Sequence, residues 1–534
     1  MSNFYLTTAI DYVNGVPHIG HAYEKILTDV IARHFSQRQK GGLDDVYFLT
    51  GTDEHGIKIQ KTAAEKGITP KEMCDEHVAI FKEAWELLDV RYDQFIRTTD
   101  EQHKKTVQKI FKKLVEKGDI YKHSYTGQYC SGCECFLNPK DLTEEGLCPV
   151  HMKKPEEISE ENYFFKLTKY KDAIIKHIKE NPSFIVPAFR ANEVLNQLEN
   201  IEDISVSRAK ANVTWGIPVL GDDEQVIYVW IDALSNYITA LGYDPEKSAE
   251  NQSEKFKKYW PALHVIGKDI LKFHSIYWTA ILMALDVELP KQILAHGWIT
   301  IDKSKMSKST GNVISPKSVI ESFNLETPDA LRYYMATAAS LGKDGNYSDD
   351  DFKEKVNADL ANNMGNLLNR TLSMLVKYFD GEIREEFLLA RHPELVSGSQ
   401  ELAKTAIGTI VKVKKHFDNY EIQEAAAEII SLVNLTNKYV ADNAPWTLAK
   451  EEKMTECGQV LATVLEIMCV VTALIYPYCP NIAKAMASQL KFDLKTKLDD
   501  LTLDNLKIGK LISQEEIKPV FLRLDSEFAT NKKG

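Results

Sequence analysis

The sequence predicts an α/β protein in which a parallel sheet is split by an insertion and followed by an all-α helix bundle. Short apolar runs near the N-terminus alternate with helix-like stretches, as expected for parallel strands joined by helical crossovers. A polar, cysteine-rich tract then breaks this alternation, and similar apolar runs return after it. Beyond residue 357 the pattern is helical throughout, which is typical of a bundle.

The first half of the sheet is predicted from two buried-type strands, residues 4–9 and 46–50, with a helix at 21–39 between them. This β-α-β order requires a parallel pair with the helix on one face. After the insertion, apolar runs at 226–230, 263–267 and 293–298 predict further strands, and 269–284 predicts a helix. Ligands of such sheets bind at the carboxyl ends of the strands, where the strand order reverses.

The domain boundaries follow from these shifts in pattern. The helices of the bundle include 357–378, 423–442 and 460–474, and the helix-breaking tract 391–399 predicts a surface loop. We expect the two halves of the sheet domain at 1–117 and 223–300, with the insertion between them at 118–222. A connecting region at 301–356 then leads to the bundle at 357–534.

Composition limits the class of protein. The 534 residues include 65 basic and 77 acidic side chains, a net charge of −12, which argues against indiscriminate DNA binding but permits a local basic groove for one structured RNA. No apolar stretch of about 18 residues is evident, and a strand begins at Phe4, where a signal peptide would lie. We therefore expect a cytoplasmic protein with no membrane partner. The chain ends soon after the bundle, so we expect a monomer.

One segment near the N-terminus is suited to binding phosphate. Pro17-His18-Ile19-Gly20-His21 follows the first apolar run and opens the first helix. A helix N-terminus offers free N–H groups, Gly20 lets a ligand approach the backbone, and His18 and His21 can donate hydrogen bonds to phosphate oxygens. Two histidines three residues apart also occur simply stacked on one helix face, and the segment alone leaves both interpretations open.

A second segment, Lys305-Met306-Ser307-Lys308-Ser309, lies in a polar loop after the last predicted strand. Lys305 and Lys308 can reach one polyphosphate, and a mobile cationic loop that closes on the transition state stabilises a leaving pyrophosphate. The alternative is a solvated surface loop. The strand order places both segments at one crevice, where together they can hold a triphosphate.

With these two segments, the HIGH and KMSKS motifs, the chain resembles the class I aminoacyl-tRNA synthetases over nearly its full length, and among them the methionyl enzymes. The insertion is too short for the editing domain of relatives that charge isoleucine, valine or leucine. The resemblance implies a Rossmann-type catalytic domain, a connective insertion, a stem-contact region at 301–356 and an anticodon-binding bundle. The further motifs that carry it are Asp11-Tyr12-Val13-Asn14-Gly15-Val16, Gly51-Thr52-Asp53-Glu54-His55-Gly56, Tyr228-Val229-Trp230-Ile231-Asp232-Ala233, and Gly267-Lys268-Asp269-Ile270 with Phe273-His274.

The resemblance implies a pocket for L-methionine, whose polarisable thioether is best held by aromatic side chains and a weak hydrogen-bond donor. Tyr12 and His274 can donate to its sulfur, and Asp53 can bind its ammonium group. Leu234 stands where the family sometimes has proline, which leaves the pocket shape open, and core packing remains the alternative for any single aromatic residue. The pocket residues are Ile10, Tyr12, Asp53, Trp230, Ala233, Tyr237, Ile270 and His274.

For ATP, with its accompanying Mg²⁺, the resemblance implies a second set of residues. Asp269 suits the ribose hydroxyls, Gly267 lets the nucleoside approach, and Glu24 either faces the nucleotide or is a solvated helix carboxylate. The ATP-binding residues are Gly20, His21, Glu24, Gly267, Asp269 and Lys308.

The cysteine-rich tract has the spacing of a zinc knuckle pair, Cys130-x-x-Cys133 followed by Cys148-x-x-His151. Such crowding in a reducing compartment indicates metal binding rather than disulfides. Cys135 is a possible substitute for His151, and a tract that folds without metal is the alternative. The other cysteines, Cys74, Cys457, Cys469 and Cys479, are expected in the core.

In the bundle, Asn362, Asn366 and Arg370 are spaced four apart and so share a helix face. Amides and arginine read unpaired bases, and Trp446 at a helix boundary can stack on one. The resemblance implies that these residues read the CAU anticodon of initiator and elongator tRNA(Met). Exposed polar positions and a packed tryptophan are the alternative.

The sequence thus predicts ATP-dependent ligation of methionine to tRNA(Met) through methionyl-adenylate, with release of AMP and pyrophosphate. His18, His21, Lys305 and Lys308 are the predicted catalytic residues, and they act by positioning and electrostatics. A free-standing adenylyltransferase and a catalytically inactive RNA-binding paralogue are the alternatives.

Overall fold

The computed structural model describes residues 3–38, 46–130, 135–137, 142–150, 152–301, 313–388 and 398–524. The chain divides into two compact units. The first unit comprises Met1–Pro17, Val46–Glu86 and Arg91–His296, and the second comprises His18–Asp45, Leu87–Val90 and Gly297–Gly534.

The first unit is built on the predicted parallel sheet. Phe4–Thr8 pairs with Val46–Asp53 on one side and Leu263–Gly267 on the other, so the strand order reverses beside it. All strand pairs of this sheet are parallel. The order across the sheet is Asp11–Tyr12, Val46–Asp53, Phe4–Thr8, Leu263–Gly267, Gln292–His296 and Ile185–Val186, with Gln94–Arg97 also beside Val46–Asp53.

Helices of the first unit bury apolar stripes in one core cluster. Glu101–Glu116 shows the rule, because Val107, Ile110, Phe111 and Leu114 recur at helical spacing and are buried. The α-helices of this unit are Ile57–Lys66, Pro70–Leu87, which ends one residue past the unit boundary, Glu101–Glu116, Lys171–Glu180, Ala188–Glu199, Val229–Thr239, Glu254–Tyr259 and Thr279–Leu285.

The prediction of a parallel-sheet strand at 226–230 is wrong. The strand there is Asp222–Ile227, which pairs antiparallel with Ser207–Ala209 and Pro218–Val219 in a separate sheet. From Val229 the chain is helical, and the helix Val229–Thr239 buries residues on nearly all its faces. A helix buried all round and a buried strand give the same apolar run in sequence, so periodicity could not separate them.

The predicted insertion also holds more regular structure than its polar sequence indicated. Within it, Ile185–Val186 pairs with Gln292–His296 and so adds an edge strand to the parallel sheet. A four-stranded antiparallel sheet forms its other part, in the order Cys135–Leu137, Ile120–Cys130, Glu156–Phe165 and Ile204–Ser205.

The second unit is largely helical, and its part beyond residue 357 is the helix bundle that the sequence predicts. Its α-helices are Ile19–Arg38, Pro316–Ser322, Asp329–Thr337, Asp349–Val356, Asn366–Phe379, Ser399–Asp418, Ile422–Asn443, Pro445–Lys450, Met454–Ile475 and Pro480–Leu490. Asn357–Gly365 joins two of them as a π-helix. Two short strand pairs, Ile299–Ile301 with Gly345–Tyr347 and Glu382–Ile383 with Gly509–Lys510, complete it.

The expectation that no apolar stretch reaches membrane-spanning length is wrong by composition. Met454–Ile475 contains an 18-residue window with a mean hydropathy of 2.0, and it is the one such helix in the part of the chain that the structure describes. Every residue of that window is buried inside the protein. The helix packs against Asn366–Phe379, Ser399–Asp418, Ile422–Asn443 and Pro480–Leu490, so it is the core helix of the bundle.

A buried arginine fixes the histidine helix, defined here as Ile19–Arg38, within the second unit. Arg332 is fully buried and donates from Nη2 to Asp29 Oδ2 at 2.6 Å, while Arg33 of the same helix donates from Nε to that oxygen at 2.6 Å. Arg332 also donates to the carbonyl oxygens of Pro477 at 2.9 Å and Tyr478 at 3.2 Å. One guanidinium thus joins the histidine helix to the turn before Pro480–Leu490.

Replacing Arg332 with methionine should destabilise the second unit by about 3–5 kcal/mol, because the change leaves buried acceptors without their donor. The lowered melting temperature can be measured by calorimetry. Lys412→Met is the matched control, since its Nζ reaches Glu428 at 3.1 Å from an exposed position, and such pairs contribute less than about 1 kcal/mol. Equal melting temperatures for the two variants would contradict this role of Arg332.

Candidate functional site

The carboxyl edge of the parallel sheet brings polar side chains of several strands together. Tyr12 and Asp53 are paired across adjacent strands in the register, at the end of Val46–Asp53. Gly267 and His296 are likewise paired at the ends of their strands. This edge is where the switch-point rule places ligands, and sequence reasoning did not single out His296.

Two aromatic pairs lie beside this edge, and both join the helix Val229–Thr239 to the segment after Gly267. The Trp230 and Phe273 rings are stacked, with centroids 3.6 Å apart and planes at 5°. The Tyr237 hydroxyl lies 2.7 Å from His274 Nε2, and both residues are buried. Of the predicted pocket residues, Tyr237 and His274 are therefore in direct contact, and Trp230 lies on the same helix as Tyr237.

His274 lies in a π-helix, Phe273–Trp278, which interrupts the helix predicted at 269–284. Such wide turns occur frequently at functional sites. The Nδ1 atom of His274 lies 3.0 Å from the Ile270 carbonyl oxygen, so Nδ1 carries the proton and Nε2 accepts from Tyr237. Both ring nitrogens are thus used within the chain, and the expected His274 hydrogen bond to a thioether sulfur is not available in this arrangement.

A further histidine supports this layer, and sequence reasoning missed it. His264 is fully buried; its Nε2 accepts from Trp278 Nε1 at 3.2 Å and its Nδ1 lies 2.7 Å from the Thr7 hydroxyl. The Tyr237 and His264 rings are 4.2 Å apart. Burial lowers the pKa of His264 well below its ordinary value, with a smaller electrostatic contribution from the neighbouring His274. The ring is therefore neutral at physiological pH. A polar residue within a predicted buried strand was the signal by which the sequence could have revealed His264.

The remaining predicted pocket residues have separate settings. Ile10, Trp230 and Ile270 are half-buried and pack against the core cluster, and Ala233 is buried. Leu234, which stands where the family sometimes has proline, is a buried member of that cluster. The Leu234 side chain therefore packs in the core.

Asp53 begins a loop that is held by a buried ion pair. The neighbouring Glu54 carboxylate is fully buried and accepts from Arg97 Nε at 2.7 Å and Nη2 at 2.8 Å. The Glu54 carbonyl oxygen accepts from Trp215 Nε1 at 2.5 Å. Gly56 has a φ of 112°, which favours glycine, and its N–H donates to the Trp215 carbonyl oxygen. The loop is thus fixed on the side that follows Asp53.

Gly267 is required by the position of Asp269. Asp269 is exposed, and a Cβ at Gly267 would lie 2.6 Å from its Oδ1 and 3.7 Å from His296 Cε1. No side chain fits between the strand end and this carboxylate. The glycine therefore lets the Asp269 carboxylate lie over the end of Leu263–Gly267.

The segment that contains His18 and His21 begins the histidine helix in the second unit. The sequence predicted free N–H groups there, but in the structure these groups donate hydrogen bonds within the chain. The His18 N–H donates to His21 Nδ1 and the Gly20 N–H donates to His18 Nδ1, both at 3.1 Å. The Ile19 N–H donates to the Ile314 carbonyl oxygen at 2.9 Å. The two rings stack with centroids 3.8 Å apart. Because each Nδ1 accepts a hydrogen bond, each neutral ring carries its own proton on Nε2.

Glu24 follows on the same helix and is buried. Its carboxylate accepts from Lys25 Nζ at 2.8 Å. Glu24 is therefore not a solvated helix carboxylate. The predicted Lys305 and Lys308 lie outside the described residues.

Two of the predicted metal ligands are described. Cys130 and Cys148 are buried, and Cys130 is paired with Cys135 in the antiparallel register of a hairpin. The Met152 N–H donates to the Cys148 carbonyl oxygen at 2.8 Å, so a tight turn starts at that cysteine. Cys133 and His151 lie outside the described residues, and among those described no group of three or more candidate ligands comes together. The other cysteines, Cys74, Cys457, Cys469 and Cys479, are buried as expected.

The predicted RNA-reading side chains lie on the surface of the helical unit. Asn362, Asn366 and Arg370 are all exposed along Asn357–Gly365 and Asn366–Phe379. Trp446 is 38% exposed on the helix Pro445–Lys450, just after Ala444 with its left-handed φ of 41°.

An amide ladder that the sequence did not reveal supports this face. Asn363 Nδ2 donates to Asn434 at 2.8 Å, Asn437 Nδ2 donates to Asn363 at 2.7 Å, and Arg370 Nη2 reaches Asn437 Oδ1 at 3.4 Å. The ladder joins Arg370 to the neighbouring helix Ile422–Asn443, and it orients the guanidinium.

Comparison with known proteins gives a consistent result. A family model described as tRNA synthetases class I (M) matches residues 4–158 and 138–372, and one described as the anticodon binding domain of methionyl tRNA ligase matches 394–527. A methionine–tRNA ligase of Clostridium tetani is 44% identical over 98% of this chain and 79% of its own length. One of Clostridium perfringens is 45% identical over 98% and 78%. The Mycobacterium tuberculosis methionyl-tRNA synthetase in complex with methionyl-adenylate superposes with a TM-score of 0.90 at 35% identity, covering 98% of this chain and 100% of that chain.

The hydrogen bonds predict opposite tautomers for the two pairs of histidines. His18 and His21 should carry their protons on Nε2, whereas His264 and His274 should carry theirs on Nδ1, because of the partners described above. Long-range ¹⁵N–¹H correlation spectra of histidine-labelled protein, recorded where the rings are neutral, distinguish the tautomers. Nδ1 protonation of His18 or His21 would show that the cap geometry is wrong.

Proposed function

We propose, from the premise that this chain belongs to the methionyl branch of the class I tRNA synthetases, specific roles for the side chains described above. The chain is an ATP-dependent methionine–tRNA ligase that acts through methionyl-adenylate. The observation that carries the proposed site is the buried Tyr237–His274 hydrogen bond beside the Trp230–Phe273 stack. These side chains offer an aromatic surface that suits an apolar substrate, and this supports a methionine pocket next to the carboxylate-bearing edge of the sheet.

Methionine binds with its ammonium group at Asp53 and its side chain among the aromatic residues. The thioether carries no charge and is polarisable, so it interacts favourably with the rings of Tyr12, Trp230 and Tyr237. Because both nitrogens of His274 are engaged, this ring offers a charged or amide side chain no partner, which disfavours lysine and glutamine. Ile10, Ala233 and Ile270 complete the apolar lining.

ATP binds through its ribose and its phosphates. The Asp269 carboxylate accepts from the ribose hydroxyls, and Gly267 leaves room for it. His18 and His21 donate from Nε2 to phosphate oxygens, Gly20 keeps the backbone accessible, and Lys305 and Lys308 hold the leaving pyrophosphate. Glu24 acts indirectly, through its pair with Lys25. Mg²⁺ accompanies ATP and offsets phosphate charge.

The reaction proceeds in two steps without a protein nucleophile. The methionine carboxylate attacks the α-phosphate in line, the bond to the bridging oxygen breaks, and pyrophosphate leaves. A terminal ribose hydroxyl of tRNA then attacks the adenylate carbonyl carbon, and AMP leaves. The side chains contribute position and hydrogen bonds to the developing negative charge.

The tRNA partner is initiator and elongator tRNA(Met), which share the CAU anticodon. Asn362, Asn366 and Arg370 offer amide and guanidinium groups to base edges, and Trp446 offers an indole for stacking. The amide ladder supports this role because it restricts Arg370 before RNA binds. The enzyme acts as a monomer in the cytoplasm, and light scattering at micromolar concentration tests the first point.

The insertion binds a structural Zn²⁺ through Cys130, Cys133, Cys148 and His151. The donor set of soft thiolates and an imidazole suits zinc, and the burial of Cys130 and Cys148 supports the proposal. The metal would hold the segments that carry these residues together and take no part in the reaction. Metal analysis of the reduced protein should find about one zinc per chain.

Two measurements separate this function from a free-standing adenylyltransferase and an inactive paralogue. Methionine-dependent ATP–pyrophosphate exchange tests activation, and charging of tRNA(Met) tests transfer. An inactive paralogue shows neither, and an adenylyltransferase transfers no methionine to tRNA. Absence of exchange with methionine would overturn the proposed site.

Gly267→Ala should raise KM for ATP about tenfold or more, since the new Cβ displaces the Asp269 carboxylate and costs a charge-assisted hydrogen bond. KM for methionine should change little. Gly408→Ala is the control, because a Cβ there meets nothing within 4 Å. Equal KM values for ATP in both variants would exclude the ribose role of Asp269.

Arg370→Ala should lower kcat/KM for tRNA(Met) by about 10- to 100-fold, as expected for a lost base contact, and leave ATP–pyrophosphate exchange unchanged. Asn437→Ala should give a smaller loss of the same kind, because it frees the guanidinium without removing it. Lys412→Ala, on the neighbouring helix Ser399–Asp418, is the control. A loss of exchange activity would point to misfolding instead.

A further inference from the structure

A buried carboxylate lies behind the proposed methionine pocket and takes no part in the function proposed above. Asp232 is 1% exposed, and its Oδ2 accepts from His55 Nδ1 at 2.7 Å. Its Oδ1 accepts from His103 Nε2 at 2.7 Å, and His103 Nδ1 lies 2.7 Å from the Thr239 hydroxyl. These residues are called the Asp232 cluster, and His55 and His103 are themselves buried.

The carboxylate of this cluster is ionised at neutral pH. Burial raises the pKa of Asp232, but the charge of His55 and the hydrogen bonds from both imidazoles outweigh it, and the net shift is downward. An ionised carboxylate accepts from two N–H donors at once, one at each oxygen. Both bonds are charge-assisted and in an interior that excludes water, so they are short and strongly directional.

The cluster joins the parts of the pocket that bind opposite ends of the substrate. Asp232 is on the helix Val229–Thr239, which also carries Trp230, Ala233 and Tyr237. His55 lies two residues beyond Asp53, in the loop that Glu54 and Arg97 fix from the other side. His103 lies on the helix Glu101–Glu116, so Asp232 also joins this helix to Val229–Thr239 and to the loop after Asp53.

We propose that Asp232 is a positioning residue that sets the length of the amino-acid side chain the site accepts. Its two hydrogen bonds fix the distance from the ammonium-binding Asp53 to the aromatic side chains that contact the thioether. A rigid distance favours methionine over shorter and longer thioethers, since only one length satisfies both ends. This inference rests on the proposed methionine site.

Asp232→Asn is the test, because the amide keeps the shape but offers a single acceptor oxygen and turns an N–H₂ donor toward an imidazole N–H. We expect kcat/KM for methionine in ATP–pyrophosphate exchange to fall about 10- to 100-fold, mainly through KM. KM for ATP should stay within about twofold. The preference for methionine, measured as the ratio of its kcat/KM to that of S-methylcysteine or of ethionine, should fall by about fivefold or more.

Two further variants keep the result interpretable. Adding His55→Gln to Asp232→Asn supplies a carbonyl that can accept from the new amide, so it should recover part of the lost discrimination. Thr239→Val removes only the hydroxyl against His103 and should narrow the preference by a smaller factor, about twofold; it substitutes for Asp232→Asn if that protein does not fold.

Asp119→Asn is the matched control, since it also removes a buried carboxylate of the first unit, one that accepts from Lys169 Nζ at 2.5 Å. It should leave the methionine preference unchanged. If Asp232→Asn and Thr239→Val leave the preference at its wild-type value, the cluster is merely structural and the inference is overturned. If the wild-type protein itself shows no exchange with methionine, the proposed function fails and not this inference alone.

Discussion

Ionised side chains that leave water must be paired, and this constraint organises both units of the molecule. In the first unit, Glu54 is held by Arg97 and Asp232 by two imidazoles, so the loop after Asp53 has one position. In the second unit, Asp29 lies between Arg33 and Arg332, which fixes the histidine helix. Replacing one of the guanidinium or imidazole donors alone leaves a buried carboxylate short of a partner.

Four histidines fall into two groups with different tautomers, and the local hydrogen bonds decide which tautomer each ring adopts. His264 and His274 donate from Nδ1 and are buried beside the aromatic residues of the proposed pocket. His18 and His21 accept hydrogen bonds at Nδ1 from the backbone N–H groups of a helix start, so their neutral rings carry the proton on Nε2. The same side chain therefore adopts different tautomers in the two places, which suits an aromatic wall in the proposed pocket and hydrogen-bond donation in the proposed phosphate site.

The sheet, the bundle and the family could be predicted because strands, helices and motifs are properties of contiguous sequence. The strand expected at 226–230 failed since a fully buried helix has the same apolar run. The free N–H groups expected at His18 failed because the capping atoms belong to the histidines themselves. The Asp232 cluster could not be found from spacing, as His55 and His103 lie 177 and 129 residues from Asp232 in the chain. A charged residue inside an apolar motif was the one signal that it must have a partner.

Two of the predicted site residues, His274 and Asn362, lie in π-helical stretches, Phe273–Trp278 and Asn357–Gly365. Each stretch holds more residues per turn than an α-helix, so it accommodates extra chain length inside the wide turn. Removing one residue there would restore α-helical hydrogen bonds and leave the side chains after the stretch on their present faces. The same deletion in a regular α-helix would turn every later side chain by roughly 100°. The two helices can therefore lose a residue at these places and keep their packing, while the local arrangement around His274 or Asn362 is lost.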